Sequence, residues 1–115
     1  MTKYHNKKTT VNGITFDSKL EAARYSELLV LERGGFISAL TTQPKFLLQD
    51  GFEYDGKKER AIYYIADFQY LDSDTSEWVI EDVKSPATRT AVYLVKRKLF
   101  LAKYGKRYRF EEVAA

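Results

Sequence analysis

Cysteine is absent, which excludes disulfides, thiolate zinc sites and a cysteine nucleophile. Histidine occurs once, as His5, so no histidine metal site can be assembled and neither Ser18 nor Ser85 has an activating base. Any metal must sit among oxygen donors. The six glycines form neither a phosphate-cradling Walker loop nor a dinucleotide fingerprint. No apolar run approaches the length of a membrane span, and the start MTKYHNKKTT lacks a signal-peptide core, so a soluble, cytoplasmic protein with no membrane partner is expected.

Acid is also missing from one long stretch. Residues 84 to 110 hold nine Lys and Arg and no Asp or Glu, whereas residues 1 to 83 hold ten basic against fourteen acidic residues. The net charge of +3 hides this division. Aromatics at Tyr93, Phe100, Tyr104, Tyr108 and Phe110 interleave the basic block. A phosphate-binding surface has that composition, and so does a solvated helix face.

The 115 residues, 44% of them hydrophobic, suffice for one domain with a core and are too few for two. Residues 1–12 read as a flexible N-terminal segment of that single domain. In SKLEAARYSELLVLERGG, Ser18 is an N-cap, Glu21 stands three residues later, and Gly34 and Gly35 supply a stop, so a helix is predicted over about residues 19 to 33. FISALTTQPKFLLQD reads as extended, GFEYDGKKER as a turn-rich connection, and AIYYIADFQYL and EWVIEDVKS as strands. After Pro86, TAVYLVKRKLFLAKY, closed by Gly105, is a second helix, and KRYRFEEV a last short strand. The order α-β-β-β-α-β predicts a small α+β (α/β) domain with a mixed central sheet flanked by helices.

The stretch DFQYLDSDTSEWVIEDVKS, residues 67 to 85, holds the most chemistry. With a four-residue loop at Ser73 to Ser76, Asp72 pairs with Glu77, Leu71 lies opposite Trp78, and Asp67 falls opposite Asp82. Opposed residues have Cβ atoms about 4.5–5.5 Å apart, and like charges there are destabilising. Water excuses the pair beside the turn; Asp67 and Asp82 lie deeper and need compensation. Alternation places Lys84 on the face of Asp82, and Val83 and Glu81 on the other, unless a bulge swaps the two acids. Two carboxylates and an ammonium therefore converge, either as a salt bridge or as oxygen ligands for Mg²⁺ or Mn²⁺ with a lysine beside them.

Asp67, then Asp82-Val83-Lys84 after an apolar strand, resembles the PD-(D/E)XK nuclease superfamily, and residues 14 to 113 are similar to its small phage-encoded members and to archaeal Holliday-junction resolvases. Ala66 stands where the motif has proline, and the second acid is Asp rather than Glu. The resemblance implies a restriction-endonuclease-like core and a Mg²⁺- or Mn²⁺-dependent DNA endonuclease in a phage context. Its substrate would be branched or recombination DNA, cut to leave a 5′-phosphate in the host cytoplasm. It places the catalytic positions on Glu21, Asp67, Asp82 and Lys84, and the metal ligands on Asp67, Asp82, Glu21 and the carbonyl of Val83. Glu21 is either that ligand or the capping-box partner of Ser18. The lysine would act on the attacking water or on the phosphate.

On the second helix Val92, Val95, Leu99 and Ala102 share one face, expected to be core, while Arg89, Lys96 and Lys103 recur every seven residues along its flank. That stripe, with Arg97 and Lys19, is the expected DNA-binding surface. No base-reading motif is present, so shape or branching is the expected basis of recognition. Two symmetric cuts in a junction would require a homodimer. The competing expectation is a non-catalytic nucleic-acid-binding module that keeps the fold.

Overall fold

In a computed structural model, which describes residues 8–114, the first helix begins at its capping signal. The Ser18 hydroxyl accepts the Glu21 N–H at 3.1 Å, and the helix runs over Lys19–Arg33. Gly35, with φ +80°, turns the chain out of it in the left-handed region that glycine adopts most readily. Before this helix, Thr9–Val11 (β1) pairs antiparallel with Ile14–Phe16 (β2). The expected flexible segment 1–12 is thus partly a strand, because Asn12 and Gly13, both at positive φ, close a tight hairpin. Residues 1–7, His5 among them, lie outside the described residues.

The helix Lys19–Arg33 (α1) buries Ala22, Tyr25 and Leu28, three residues apart, against the sheet. After it come Ile37–Thr42 (β3), Lys45–Gln49 (β4), the short hairpin strands Phe52–Tyr54 (β5) and Lys57–Glu59 (β6), then Ile62–Ile65 (β7), Phe68–Asp72 (β8) and Trp78–Lys84 (β9). A single 3₁₀ turn at Pro86–Thr88 leads into the helix Ala91–Tyr104 (α2), and Arg109–Ala114 (β10) ends the sheet. The four-stranded sheet has the order β10-β9-β8-β3; β9 and β10 are parallel, as the α2 crossover requires, and the other pairs antiparallel. Taken as α1, β3, β8, β9, α2 and β10, the core has the predicted α-β-β-β-α-β order, and the molecule is a small single-domain α+β protein. No helix among the described residues is long and apolar enough to cross a membrane.

Two expected strands bend. AIYYIADFQYL divides at Ala66-Asp67 into β7 and β8, and FISALTTQPKFLLQD divides at Gln43-Pro44 into β3 and β4. The corners stay bonded: Gln43 N–H donates to the Asp67 carbonyl at 2.9 Å and Ala66 N–H to the Pro44 carbonyl at 3.1 Å. One ribbon thus leaves the main sheet, with Gln43 at φ +52° on its inner turn, and folds over the face that α2 covers. Residues 51–60, expected as a turn-rich connection, form the β5–β6 hairpin at the outer end of this ribbon.

The sheet separates two cores. Phe16, Ala22, Tyr25, Leu28, Ile37, Phe68, Tyr70 and Val79 fill the α1 side. Phe46, Tyr64, Ala66, Ile80, Tyr93 and Phe100 fill the α2 side. Here the sequence expectation for α2 is corrected. Val92, Val95 and Leu99 are 65%, 59% and 42% exposed, and Ala102 is exposed too, while Tyr93 and Phe100 are buried. The helix turns its aromatic face inward because aromatic rings remove far more apolar area from water than Val or Ala. The Phe100 ring lies 4.9 Å from that of Phe46 and 5.2 Å from that of Tyr64.

This orientation predicts unequal losses. Phe100→Ala should lower unfolding free energy by about 3–5 kcal/mol, and Val95→Ala should stay within about 0.5 kcal/mol of wild type. Urea denaturation measures both; equal losses would return Val95 to the core.

Candidate active site

The hairpin register places the acids. Phe68 pairs with Glu81, Gln69 with Ile80 and Leu71 with Trp78, and Asp72 N–H bonds the Glu77 carbonyl at 2.9 Å, as the four-residue loop predicts. Beyond Phe68 the ladder ends at the bend. Asp67 N–H donates to the Glu81 carbonyl at 3.0 Å, and the Asp67 Oδ2 accepts the Val83 N–H at 2.7 Å. The Asp67 carboxylate thus takes over a backbone donor that the interrupted ladder would have left open.

The side chains of β9 alternate between two environments. Glu81, 1% exposed, points toward α1, where Arg24 grips it with two bonds, Nε to Oε1 at 2.8 Å and Nη2 to Oε2 at 2.7 Å, and the Tyr70 hydroxyl donates to Oε2. Such a bidentate guanidinium pair satisfies a buried carboxylate on its own face. Asp82, 2% exposed, lies on the α2 side with no arginine; the Tyr64 hydroxyl donates to its Oδ2. Of the two adjacent acids, Asp82 is therefore the one that meets Asp67. Burial first, and then the charge of Asp67, push the Asp82 carboxyl well above the usual range, against the opposing pull of Tyr64 and Lys84.

Lys84 shares the Asp82 face and rests its Nζ 4.3 Å from the centre of the Tyr93 ring. The Tyr93 hydroxyl is anchored in turn on Glu112 Oε2 at 2.6 Å. Tyr63, Tyr64, Ile65, Asp82, Lys84 and Lys96 are among the residues lining an open cleft of about 260 Å³ between β7 and α2. Glu21 reaches the cluster from α1. It is half-buried, and burial, followed by the charges of Asp67 and Asp17, raises its carboxyl to about 7; Lys84 and a bond with Ser18 pull the other way. Both readings of Glu21 thus have a physical basis: its N–H bonds the Ser18 hydroxyl of the cap, and its carboxyl feels both Ser18 and the charge of Asp67.

Among the described residues no group of three or more His, Cys, Asp or Glu side chains is arranged to hold a metal ion. The donors that do meet are the carboxylates of Asp67 and Asp82, with Val83 beside them. Two carboxylates completed by water or phosphate oxygen are a donor set that Mg²⁺ accepts, so the residues fit a hard cation bound in part by its substrate.

The expected basic stripe is only partly available. Arg89 is folded onto Glu112, Nε to Oε1 at 2.7 Å, and Arg97 stands 3.9 Å from the same carboxylate with its guanidinium over Phe110. Glu112 pairs in register with Asp82 across β9 and β10, and it draws in both Arg89, which the seven-residue spacing assigned to DNA, and Arg97, which was set beside that stripe. Lys96 lines the cleft, while Lys103 and Lys19 are exposed away from any ion pair among the described residues. The acids beside the turn are not left to water either: Arg109 holds Asp72 at 3.0 Å and Glu77 at 2.7 Å. Gln43 is exposed, and it serves the bend through its backbone.

Tyr64, Tyr93, Arg24 and Glu112 escaped the sequence reading. The run AIYYIADFQYL reads as one strand, and only its bend reveals that Tyr64 returns over Asp82.

The raised Glu21 carboxyl has a testable sign. Its folded value lies above its ordinary 4.5, so the native state holds a proton that the unfolded chain releases, and stability from this group is lost as pH rises from about 4.5 to about 7. Glu21→Gln cannot titrate. In EDTA, the melting temperature of wild type relative to Glu21→Gln should fall across that window and level off above it; a pH-independent difference would place Glu21 in water.

Residues 1–112 match the family described as "Protein of unknown function (DUF1064)". No curated protein and no solved structure matches the chain. Covering all the elements of the sheet, α1, α2 and the bulk of β10, the match means that the chain belongs to the DUF1064 family.

Proposed function

We propose that this chain is a Mg²⁺- or Mn²⁺-dependent DNA endonuclease of the PD-(D/E)XK type, acting on branched or recombination DNA in a phage context. One observation carries the reading. Asp82 and Lys84 line an open cleft, and Asp67 is set against Asp82, although the neighbouring Glu81 is fully compensated by Arg24. A fold that needed these carboxylates only for structure would pair Asp82 directly with a cation, as Arg24 is paired with Glu81, whereas the nearby Lys84 makes no ion pair among the described residues. The like charges make sense when a cation comes with the substrate.

A divalent ion held by Asp67, Asp82 and the Val83 carbonyl would polarise the phosphodiester and favour ionisation of the attacking water. The chain's own groups do the rest. The Val83 N–H fixes the Asp67 carboxylate, and the Tyr64 hydroxyl fixes that of Asp82. Lys84, held over the Tyr93 ring, would donate to a phosphoryl oxygen as charge develops there, or take the proton of the water. Glu21, with its carboxyl near neutrality, is placed to hold or release a proton beside Asp67. Lys96 at the cleft and the exposed Lys103 and Lys19 would bind phosphates, and paired cuts in a junction would use a homodimer.

A non-catalytic nucleic-acid-binding module is the second reading, favoured by the lack of a three-carboxylate group among the described residues. Supercoiled, linear and four-way-junction DNA, each incubated with Mg²⁺, Mn²⁺ or EDTA, separates the two: cutting that EDTA abolishes is the expected result, and none on any substrate would leave the binding module.

Asp67→Ala, Asp82→Ala and Lys84→Ala should each lower cleavage by about 10²-fold or more while leaving DNA binding in place. Tyr64→Phe should lower it by about 10–100-fold, as expected when a ligand loses its outer partner. Gel cleavage assays alongside filter binding measure both.

The free cations also differ from the paired ones. Lys96→Gln should flatten the salt dependence of duplex affinity by about one unit of slope, while Arg89→Gln, whose charge is already met by Glu112, should change it by less. Equal slopes for the two variants would mean that the ion pair with Glu112 opens on DNA.

A further inference from the structure

The Asp82 face of β9 carries a second concavity at its other end. A cavity of about 560 Å³ opens where the β8–β9 turn, the C-terminal end of α2 and the start of β10 meet. Trp78, Tyr108 and Phe110 line it together with Arg97, Lys106 and Arg107. Trp78 is 38% exposed and stands four residues before Asp82 on the same face, roughly 13 Å away at about 3.3 Å per residue. Ile80, fully buried, separates the two places.

Three features of this cavity point to one ligand chemistry. First, two of its cations are uncommitted: Lys106 and Arg107 make no ion pair among the described residues, whereas Arg97 at the cavity wall is paired with Glu112. Arg109 also borders the cavity, but its guanidinium is committed to Asp72, Glu77 and Glu111. Second, the cations alternate with aromatic faces, and Arg107 itself lies 5.0 Å over the Tyr104 ring. Third, the volume falls within the range of about 300–1,000 Å³ of sites that take a molecule of nucleotide size. An acidic peptide would use the cations and leave the indole idle; a splayed nucleotide uses both, its base on the ring and its phosphates on the cations.

We infer that this cavity binds an unpaired nucleotide segment of single-stranded nucleic acid, stacking a base on Trp78 and placing phosphates on Lys106 and Arg107. The site lies on the same sheet face as the Asp67–Asp82 pair. A strand leaving a branch point would thus be held roughly 13 Å, the span from Trp78 to Asp82 at about 3.3 Å per residue, from the bond to be cut. The inference rests on the nuclease reading only for the relation between the two sites; binding itself needs neither metal nor cleavage.

Trp78 is the only tryptophan in the chain, so its fluorescence reports the site directly. Wild type would be titrated in EDTA with a short oligothymidylate, with inorganic phosphate and with polyglutamate. The expected result is saturable quenching by the oligonucleotide that weakens with salt. Lys106→Gln/Arg107→Gln, which alters only exposed side chains, should raise the apparent Kd about ten-fold and reduce the salt slope by about 1.4 units, the value for two phosphates of a single strand. Asp67→Asn should quench like wild type. Absence of quenching, or equal affinity in the double variant, would overturn the site. An equal response to polyglutamate would reassign it to an acidic peptide, and an equal response to phosphate would reduce it to an anion site; either overturns nucleotide binding. Quenching that persists where no DNA is cut sinks the nuclease reading and spares this one; cutting without quenching does the reverse.

Discussion

Two neighbouring carboxylates buried on opposite faces of β9 are the constraint around which the rest of the structure is arranged. An ionised group out of water must be paired, hydrogen-bonded or neutralised, and Glu81 and Asp82 meet that demand differently. Glu81 receives the fork of Arg24 and a phenol, which fixes how deep α1 must sit against the sheet. Asp82 receives a phenol and a second acid. To bring that phenol over, the ribbon must turn at Gln43-Pro44 and Ala66-Asp67, and the same turn frees the Asp67 carboxylate for the Val83 N–H. The bend and the pairing of Asp67 with Asp82 are thus one feature.

Much of this was legible in the sequence, where local signals dominate. Ser18 and the Gly34-Gly35 pair bounded α1 correctly, and the length of the SDTS loop fixed the register down to Leu71 opposite Trp78. Period-two alternation separated Glu81 from Asp82. The bend escaped because the run AIYYIADFQYL is uniformly strand-like, and the turn is enforced by the partner strand at Gln43 and Pro44. The facing of α2 escaped because two stripes, Val92-Val95-Leu99 and Tyr93-Phe100-Tyr104, have equally good helical periods. Periodicity cannot choose between them; buried aromatic area does. Arg89 was assigned to phosphate because Glu112, its partner 23 residues on, is delivered by a parallel crossover that no local pattern encodes.

The cations divide by type. Every ion pair among the described residues uses an arginine: Arg24 with Glu27 and Glu81, Arg89 and Arg97 with Glu112, and Arg109 with Asp72, Glu77 and Glu111. The lysines of α2 take no part. The planar guanidinium suits fixed carboxylates, and the compact, mobile ammonium suits a charge that arrives from solution. A count of basic residues therefore overstates the free positive surface; the lysine positions outline it better.

The parallel pairing of β10 with β9 also sets an order of assembly. Proteins emerge from the ribosome N-terminal end first, so β3, β8 and β9 can form their antiparallel ladders while α2 and β10 are still inside. Glu112 arrives after all of them, and with it the anchor for the Tyr93 hydroxyl, on whose ring Lys84 rests. A nascent chain can therefore bring its two aspartates together well before its lysine has a fixed seat. Whatever chemistry depends on Lys84 begins only when the last strand has been laid down.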